Sequence, residues 1–593
     1  MTKLQKLIAA TIRAIPMIVM MALLLCIHCI FDSHGDIVTL FKLLQRSSAL
    51  CIVLGVAATR HRVLRVTLSA VLGILLFVNI YCAIQLHCLF NSSVLFLILQ
   101  TDTHEAGEYL SQYIFSRGTA ISMVTTLAII AAGLIANRRW QQWCNHRLDS
   151  IAERLTPSVA ATVTTAIVAL FTLSLLTTFT PNFFPIIFAV AAAAVAVAAA
   201  WALSRRLAPR WLQWTAGMAL VACTIAPYYL PFSSANSLRD KLMCTPQSLA
   251  LAITDICEND IDINRLTATN TVATASTDAR ADYKLVVIIG ESFNRLHSSL
   301  YGYCHDTNPR LCQELDSGNL IVFTDAHTHT QGTALAMRGI FSTHLCDVDT
   351  TKWEDSPLFP VLLRKAGYTV ALVDNHGTQR QSDAWQFHSS AFFSTPAMSD
   401  LCFDMRNDSI ADYDMETVDR YIDRAAQHDV AIFHLMGQHS SADSRYPADF
   451  ARFTPDDYAD RADLDKIARL NIAAYDNATL YNDAVVAAII DCYRDDNAII
   501  LYFSDHGEAV YDDLDFYGRI LDPETPAYDN SVFRVPFVVW MSDRALAAHP
   551  DIADAIRRHS TERLDTYNVS HIVLDLLNVN TPALVPSRSW QTH

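Results

Sequence analysis

The chain has 593 residues, 52% of them apolar, with 44 basic and 60 acidic side chains and a formal charge of −16. That acidic balance excludes a nucleic-acid partner, which requires basic surface. The length excludes a single small domain, and the apolar share fits a membrane part fused to a soluble part.

Residues up to about 232 are dominated by apolar runs near 8–31, 64–87, 119–136, 158–179, 183–203 and 212–231. Each approaches the roughly 20 residues that a helix needs to cross a bilayer. With a shorter run near 47–60, about seven crossings are expected, and basic residues then fall in alternate loops. These are Lys3 and Lys6; Arg60, Arg62 and Arg65; Arg138, Arg139, Arg147 and Arg154; and Arg205, Arg206 and Arg210. The intervening loop at 88–118 carries Asp102, Glu105 and Glu108. This pattern puts the C-terminal part outside the cytoplasm. No small-residue cleavage site follows the first apolar run, so it does not read as a removed signal.

A transmembrane domain is therefore expected over 1–232, a connector over 233–282, and a catalytic domain over 283–593. In the connector, Ser237–Leu242 and Leu249–Ile253 read as short helices lying on the membrane surface. The Thr- and Ala-rich stretch 266–282 reads as a flexible linker. Beyond it, strands are expected at 284–289, 370–373, 430–436, 498–503 and 536–540. Helices are expected near 333–342, 357–366, 415–427, 465–493 and 563–577. Strands alternating with helices predict an α/β domain with a mostly parallel central sheet flanked by helices. An exported domain can form disulfides, and proximity makes Cys304 with Cys312 and Cys244 with Cys257 plausible pairs. No CxxC zinc-ribbon spacing occurs in this half.

Two expected strands end in acidic residues. Ala498–Phe503 runs into Ser504-Asp505-His506-Gly507-Glu508, and Lys284–Ile289 runs into Gly290-Glu291-Ser292. The carboxyl ends of strands are where open α/β sheets carry their chemistry, and Glu291, Asp505 and His506 offer ligands to one metal ion. His439 lies just past a third expected strand. The polar loop His327-Thr328-His329-Thr330-Gln331-Gly332 leads into an apolar helix beginning at Thr333. A hydroxyl there, from Thr330 or Thr333, would face free backbone N–H groups, which suits attack on a phosphate or sulfate ester. Each residue also has a plainer reading: Glu291 as a solvated loop residue, the two threonines as N-caps, and His439, His327 and His329 as incidental histidines.

Taken together, these motifs resemble the phosphoethanolamine transferases of the alkaline phosphatase/sulfatase superfamily. Gly290-Glu291-Ser292, Leu300-Tyr301-Gly302-Tyr303 and Thr307-Asn308-Pro309-Arg310-Leu311 are similar to the family's opening signature. Gly437-Gln438-His439 with Arg445-Tyr446-Pro447, Tyr475-Asp476-Asn477 with Leu480-Tyr481-Asn482-Asp483, and Ser504–Glu508 follow in the family's order. The resemblance covers about 284–541 and the plan of an N-terminal membrane domain. It implies an alkaline phosphatase/sulfatase-type fold and a zinc-dependent enzyme of the bacterial inner membrane, its catalytic domain in the periplasm.

The implied reaction moves phosphoethanolamine from phosphatidylethanolamine, through a phospho-threonine intermediate, to lipid A or the lipopolysaccharide core. The implied metal set is Glu291, Thr333, Asp505 and His506, with one Zn2+ and a second position left open. A gapless match to the family's nucleophile helix selects Thr333 as the nucleophile. His439, Glu508, His376 and Arg380 are implied as substrate-binding residues, with His439 on the phosphoryl group or a second zinc. The chain departs from colistin-resistance relatives at Phe516-Tyr517-Gly518, where a histidine is missing, and at His329 and Gly339, where those relatives carry a cysteine pair. The alternatives are a glycerol-phosphate transferase of the same superfamily using phosphatidylglycerol, and a catalytically degenerate membrane sensor. A sulfatase is disfavoured, because the nucleophile loop lacks a C/S-x-P-x-R context.

Overall fold

The computed structural model describes residues 62–85, 94, 117–154, 261–376, 395–512, 514, 516–519 and 526–592. They belong to two compact units that divide near residue 258.

In the first unit, the helices Arg62–Gln85 and Arg117–Arg154 run over the expected apolar segments at 64–87 and 119–136. Leu76 and Ile80 pack with Ile84 and Ile129. Val66, Val71, Ile74, Val124 and Leu127 stay exposed. Over the described residues, no helix is long and apolar enough to cross a membrane. The other expected spans, the two surface helices and the Cys244–Cys257 pair lie outside the described residues.

The second unit is built on a seven-stranded sheet. From one edge its order is Leu320–Val322, Phe537–Met541, Ala498–Ser504, Lys284–Gly290, Val430–His434, Val370–Asp374 and Met405–Arg406. All neighbours are parallel except Phe537–Met541, which runs antiparallel to both of its partners. The sheet is therefore mostly parallel, as expected, but mixed through this one antiparallel strand. The chain leaves Ser504 at the carboxyl edge, turns through the hairpin at 509–518, and re-enters from that same edge, pairing Phe537 with Phe503. Among the described residues of this connection no crossover helix restores the parallel direction.

Side-chain alternation divides the core into two layers. Leu285, Val287 and Ile289 face the helices Thr333–Phe341, Phe359–Lys365 and Val569–Leu576. Val286 and Ile288 face Asp414–Ala425 and the long helix Lys466–Tyr493. Strands buried on both faces must be apolar throughout, which is why the central runs carry almost no polar residue before their last position.

The stretch expected as a flexible linker is ordered against this domain. Ile263–Val272 is a helix, with the Asp262 side chain accepting from the Arg265 N–H at 3.0 Å. Leu266 is fully buried. Asn270 accepts from the Leu358 N–H at 2.8 Å, and Ser276 bridges to Asn580. One leucine and one asparagine a turn apart hold the helix, too few apolar residues to register as a periodic pattern. Cys304 and Cys312 are free thiols, not a disulfide, and Cys312 Sγ lies 3.6 Å from Ser299 Oγ.

The long helix braces the loops around the site. Tyr475 Oη donates to the Ser292 carbonyl at 2.5 Å and accepts from the Asn294 N–H at 2.7 Å. Asp483 accepts from the N–H groups of Arg310 and Leu311, capping the helix Pro309–Ser317. Asp476 accepts from Tyr303 and Tyr458 and pairs with His297 Nδ1 at 2.6 Å, while His297 Nε2 faces Asp512 at 3.2 Å.

Burial opposes the charged form of His297, but Asp512 and Asp476 outweigh it and push its pKa up to about 10. The folded value exceeds the unfolded one of about 6.5. The stabilisation is therefore complete below that unfolded value and is lost as pH rises through about 10. Between pH 6 and pH 9 the Tm of the detergent-solubilised chain is expected to fall by roughly 5 °C more in the wild type than in His297→Gln, a gap on the scale of 1–2 kcal/mol. Thermal melts at the two pH values read it directly.

Candidate active site

Four neighbouring strands end together. Register pairs Gly290 with Ser504, Ile289 with His434, and Asp374 with His434. The residues that follow these ends therefore gather on one carboxyl edge. Ser292 takes φ +57°, a left-handed conformation costly for a residue with a Cβ. This turn lets its N–H reach Asp505 Oδ1 at 3.3 Å while its Oγ donates to Glu291 Oε1 at 2.7 Å. Thr333 is the first residue of its helix, preceded by Gly332 at the cap.

Glu291, Thr333, Asp505 and His506 converge. Thr333 Oγ1 donates to Glu291 Oε2 at 2.9 Å and lies 3.3 Å from His506 Nε2. His506 Nε2 is 3.1 Å from Glu291 Oε1 and 3.3 Å from Asp505 Oδ2. His506 Nδ1 faces the Gly507 carbonyl at 3.0 Å, so an Nδ1–H can donate there and Nε2 is the nitrogen turned toward the ligand group. Thr330 makes no hydrogen bond to this group; its backbone carbonyl accepts from Thr328 Oγ1 at 3.2 Å.

The electrostatics fit a dication. Burial and the facing charge of Glu291 push the Asp505 carboxyl up to about 7. Burial acts to raise Glu291 as well, but the His506 imidazole beside it holds that carboxyl well below the usual range. Asp505 Oδ2 is buried without a hydrogen-bond partner. Two buried carboxylates, an imidazole lone pair and a hydroxyl form an O/N set suited to zinc. The ligand atoms of Glu291, Asp505 and His506 all lie within 4.8 Å of one another.

A second cluster shares Glu291. His376 and His434 offer nitrogens within 4.8 Å of it and of each other. His434 Nδ1 faces Asp374 at 2.9 Å, and its buried Nε2 has no hydrogen-bond partner. The His376 ring stacks on His434 at 4.0 Å and meets the His439 ring edge-on at 6.0 Å. Burial lowers His439 well below the ordinary imidazole value, so the ring is neutral. Arg445 donates to the Ser440 carbonyl at 2.9 Å and clamps the loop that presents His439. Glu508 is buried, its carboxyl raised by that burial, with Oε2 unpartnered. Arg380 lies outside the described residues.

Two residues here were not singled out by the sequence. His434 is the last residue of its strand, the same positional signal that marked Glu291, but the motif three residues later drew the attention. Arg519 lies on the segment leaving the hairpin, where no local pattern marks it. Of the loop histidines, His327 pairs with Asp325 at 3.0 Å. His329 packs on Gly339 so closely that a Cβ there would lie 2.4 Å from its Cε1. The positions of the relatives' cysteine pair are thus adjacent here, filled by a ring against a glycine.

Gly507 has no room for a side chain. A Cβ would sit 2.3 Å from the Ser531 carbonyl oxygen, and the Gly507 N–H donates to the Val532 carbonyl at 2.8 Å. Gly507→Ala is expected to displace His506 and to cost about 1–3 kcal/mol, the scale of overpacking. A lower Tm together with reduced zinc content would register both effects.

A sheet that gathers Glu, Asp, His and Thr at one carboxyl edge defines an alkaline phosphatase/sulfatase-type α/β domain, and residues 284–579 match the sulfatase family. Phosphoethanolamine transferase EptC of Escherichia coli strain K12 is 28% identical over 315 residues, 51% of this chain and 52% of that protein. The Kdo(2)-lipid A phosphoethanolamine 7''-transferase of the same strain is 28% identical over 271 residues, 45% of each chain. The chain spans about half the length of the curated relatives it matches. The integral membrane protein lipooligosaccharide phosphoethanolamine transferase A from Neisseria meningitidis shares the fold over 98% of both chains, with a TM-score of 0.57 and 15% identity. Residues 284–579 thus form a sulfatase-family domain, and the chain is similar to phosphoethanolamine transferases over that half.

Proposed function

We propose that the chain is a zinc-dependent phosphoethanolamine transferase of the bacterial inner membrane, with Thr333 as nucleophile and its catalytic domain in the periplasm. The observation that carries this reading is the Thr333 hydroxyl, held between Glu291 and His506 at the carboxyl edge of the sheet. Glu291, Asp505, His506 and Thr333 would hold the zinc. When bound, the ion would lower the hydroxyl's pKa and screen charge developing on the phosphoryl group. The names of the relatives supply the transferred group and, for one of them, lipid A as acceptor.

In the first half-reaction Thr333 Oγ attacks the phosphorus of phosphatidylethanolamine. A P–O bond forms to Thr333, the P–O bond to diacylglycerol breaks, and the threonine proton ends on the departing diacylglycerol oxygen. In the second, an oxygen of lipid A or the lipopolysaccharide core attacks the same phosphorus, the bond to Thr333 breaks, and the acceptor's proton restores the threonine. The neutral ring of His439, the Glu508 carboxyl, His376 and Arg380 would line the substrate pocket. A lipid donor explains a membrane domain on the same chain, and the exposed aliphatic residues of the first unit suit contact with lipid.

Intact mass spectrometry of the zinc-loaded full chain in detergent tests this. Incubation with phosphatidylethanolamine should add one phosphoethanolamine unit, localised to Thr333 by peptide mapping. An adduct formed only from phosphatidylglycerol would replace this reading with glycerol-phosphate transfer. Bound zinc with no adduct from either lipid would overturn both.

A further inference from the structure

We propose that Arg519 is a catalytic residue of this site, its guanidinium holding a non-bridging oxygen of the transferring phosphoryl group beside Thr333. The inference rests on the phosphoryl-transfer reading above and adds to it the group that meets the substrate's charge.

Arg519 Nη1 donates to His506 Nε2 at 2.7 Å and to the Gln331 carbonyl at 3.0 Å. His506 Nε2 is also the nitrogen that Thr333 Oγ1 approaches at 3.3 Å, and Gln331 stands two residues before Thr333 in the nucleophile loop. The guanidinium is therefore tied both to the loop that carries the nucleophile and to the metal-binding group. Its charge also reaches His439 and Glu508, two of the four residues of the expected substrate pocket. Arg519 thus touches the nucleophile loop and the metal-binding group, and its charge acts on the pocket.

The chemistry asks for a cation there. Phosphoryl transfer is catalysed chiefly by positioning and by charge stabilisation on the non-bridging oxygens. Glu291 and Asp505 bring negative charge to the site, and His439 is neutral through burial. Arginine stays protonated at every working pH and presents a planar fork matched to phosphate oxygens. The His506 lone pair that Arg519 now uses is the one a metal ion would take, and Nη1 then turns to the phosphoryl oxygen. The segment Phe516-Tyr517-Gly518, where the expected histidine is missing, leads directly into this arginine.

The test uses the zinc-loaded full chain in detergent, with Arg519→Gln, Arg519→Lys and Thr333→Ala. Three readouts are taken: the rate of the Thr333 adduct from phosphatidylethanolamine, the zinc content per chain, and the affinity for inorganic phosphate. Arg519→Gln should keep the wild-type zinc content, slow adduct formation by about 100-fold or more, and weaken phosphate binding about tenfold. Arg519→Lys should recover part of both losses. Adduct formation at the wild-type rate in Arg519→Gln would overturn the proposal. Loss of zinc in that variant would overturn it too, making Arg519 a positioning residue for His506. If the wild type forms no adduct, the donor reading fails on its own, and the phosphate affinities still decide for or against Arg519.

Discussion

Thr333→Ala is expected to abolish the covalent adduct and to lower transfer by about 10⁴-fold or more, the scale on which removing a covalent nucleophile acts. The hydroxyl is half of a hydrogen bond to Glu291 and contributes little packing, because Thr333 is partly exposed at the head of its helix. The variant should therefore fold, melt near the wild-type temperature and bind phosphatidylethanolamine. Thr330→Ala is the matched control: Thr330 meets its neighbours through its backbone carbonyl, so transfer should stay within about twofold, as for a surface substitution away from the chemistry. Radiolabelled phosphatidylethanolamine and the mass of the nucleophile peptide separate the two. A Thr330→Ala variant that lost the adduct while Thr333→Ala kept it would reverse the assignment.

Much of this site is written in strand ends. Short apolar runs such as Ala498–Phe503 and Leu285–Ile289, rich in β-branched and aromatic residues, read as buried strands, and the first polar residue after each then sits at an edge of the sheet. That rule places Glu291, Asp505 and His506 together once the two strands are neighbours, as their register makes them. It applies equally to His434, which was passed over because a longer motif followed it. Arg519 obeys no such rule. It reaches the site because the hairpin at 509–518 folds back, a tertiary event with no periodic trace in the chain. The strand expected at 536–540 is present, but its antiparallel direction is not legible for a related reason: direction depends on which edge the chain re-enters from, and composition does not encode that. The helix at 263–272 was hidden by its economy, with Leu266 and Asn270 holding it to the domain. The brace formed by Tyr475, Asp476 and Asp483 is a further case. Its residues were legible as a motif, and only their partners reveal that they position loops.

Asp505→Asn is expected to weaken zinc binding by at least about 100-fold while raising the melting temperature of the chelator-treated protein. The first effect follows from the loss of a charged ligand, since even residues that only support a ligand alter affinity 10–100-fold. The second follows from the geometry. Asp505 Oδ1 accepts from the N–H groups of His506 and Ser292, and an asparagine carbonyl keeps both bonds. Asp505 Oδ2 is buried with no hydrogen bond of its own, 3.3 Å from His506 Nε2 and turned toward the group that contains Glu291. Replacing it by an amide removes a buried like-charge repulsion and supplies a donor in its place. Glu291→Gln should also lose zinc, but without the gain in stability, because both Glu291 oxygens already accept hydrogen bonds, from Ser292 and Thr333. Added zinc should raise the wild-type Tm in proportion to the logarithm of its concentration, and leave the Tm of Asp505→Asn almost unmoved over the same range. If Asp505→Asn instead destabilised the chelator-treated protein and still bound zinc with wild-type affinity, Asp505 would be a structural partner of His506 rather than a ligand.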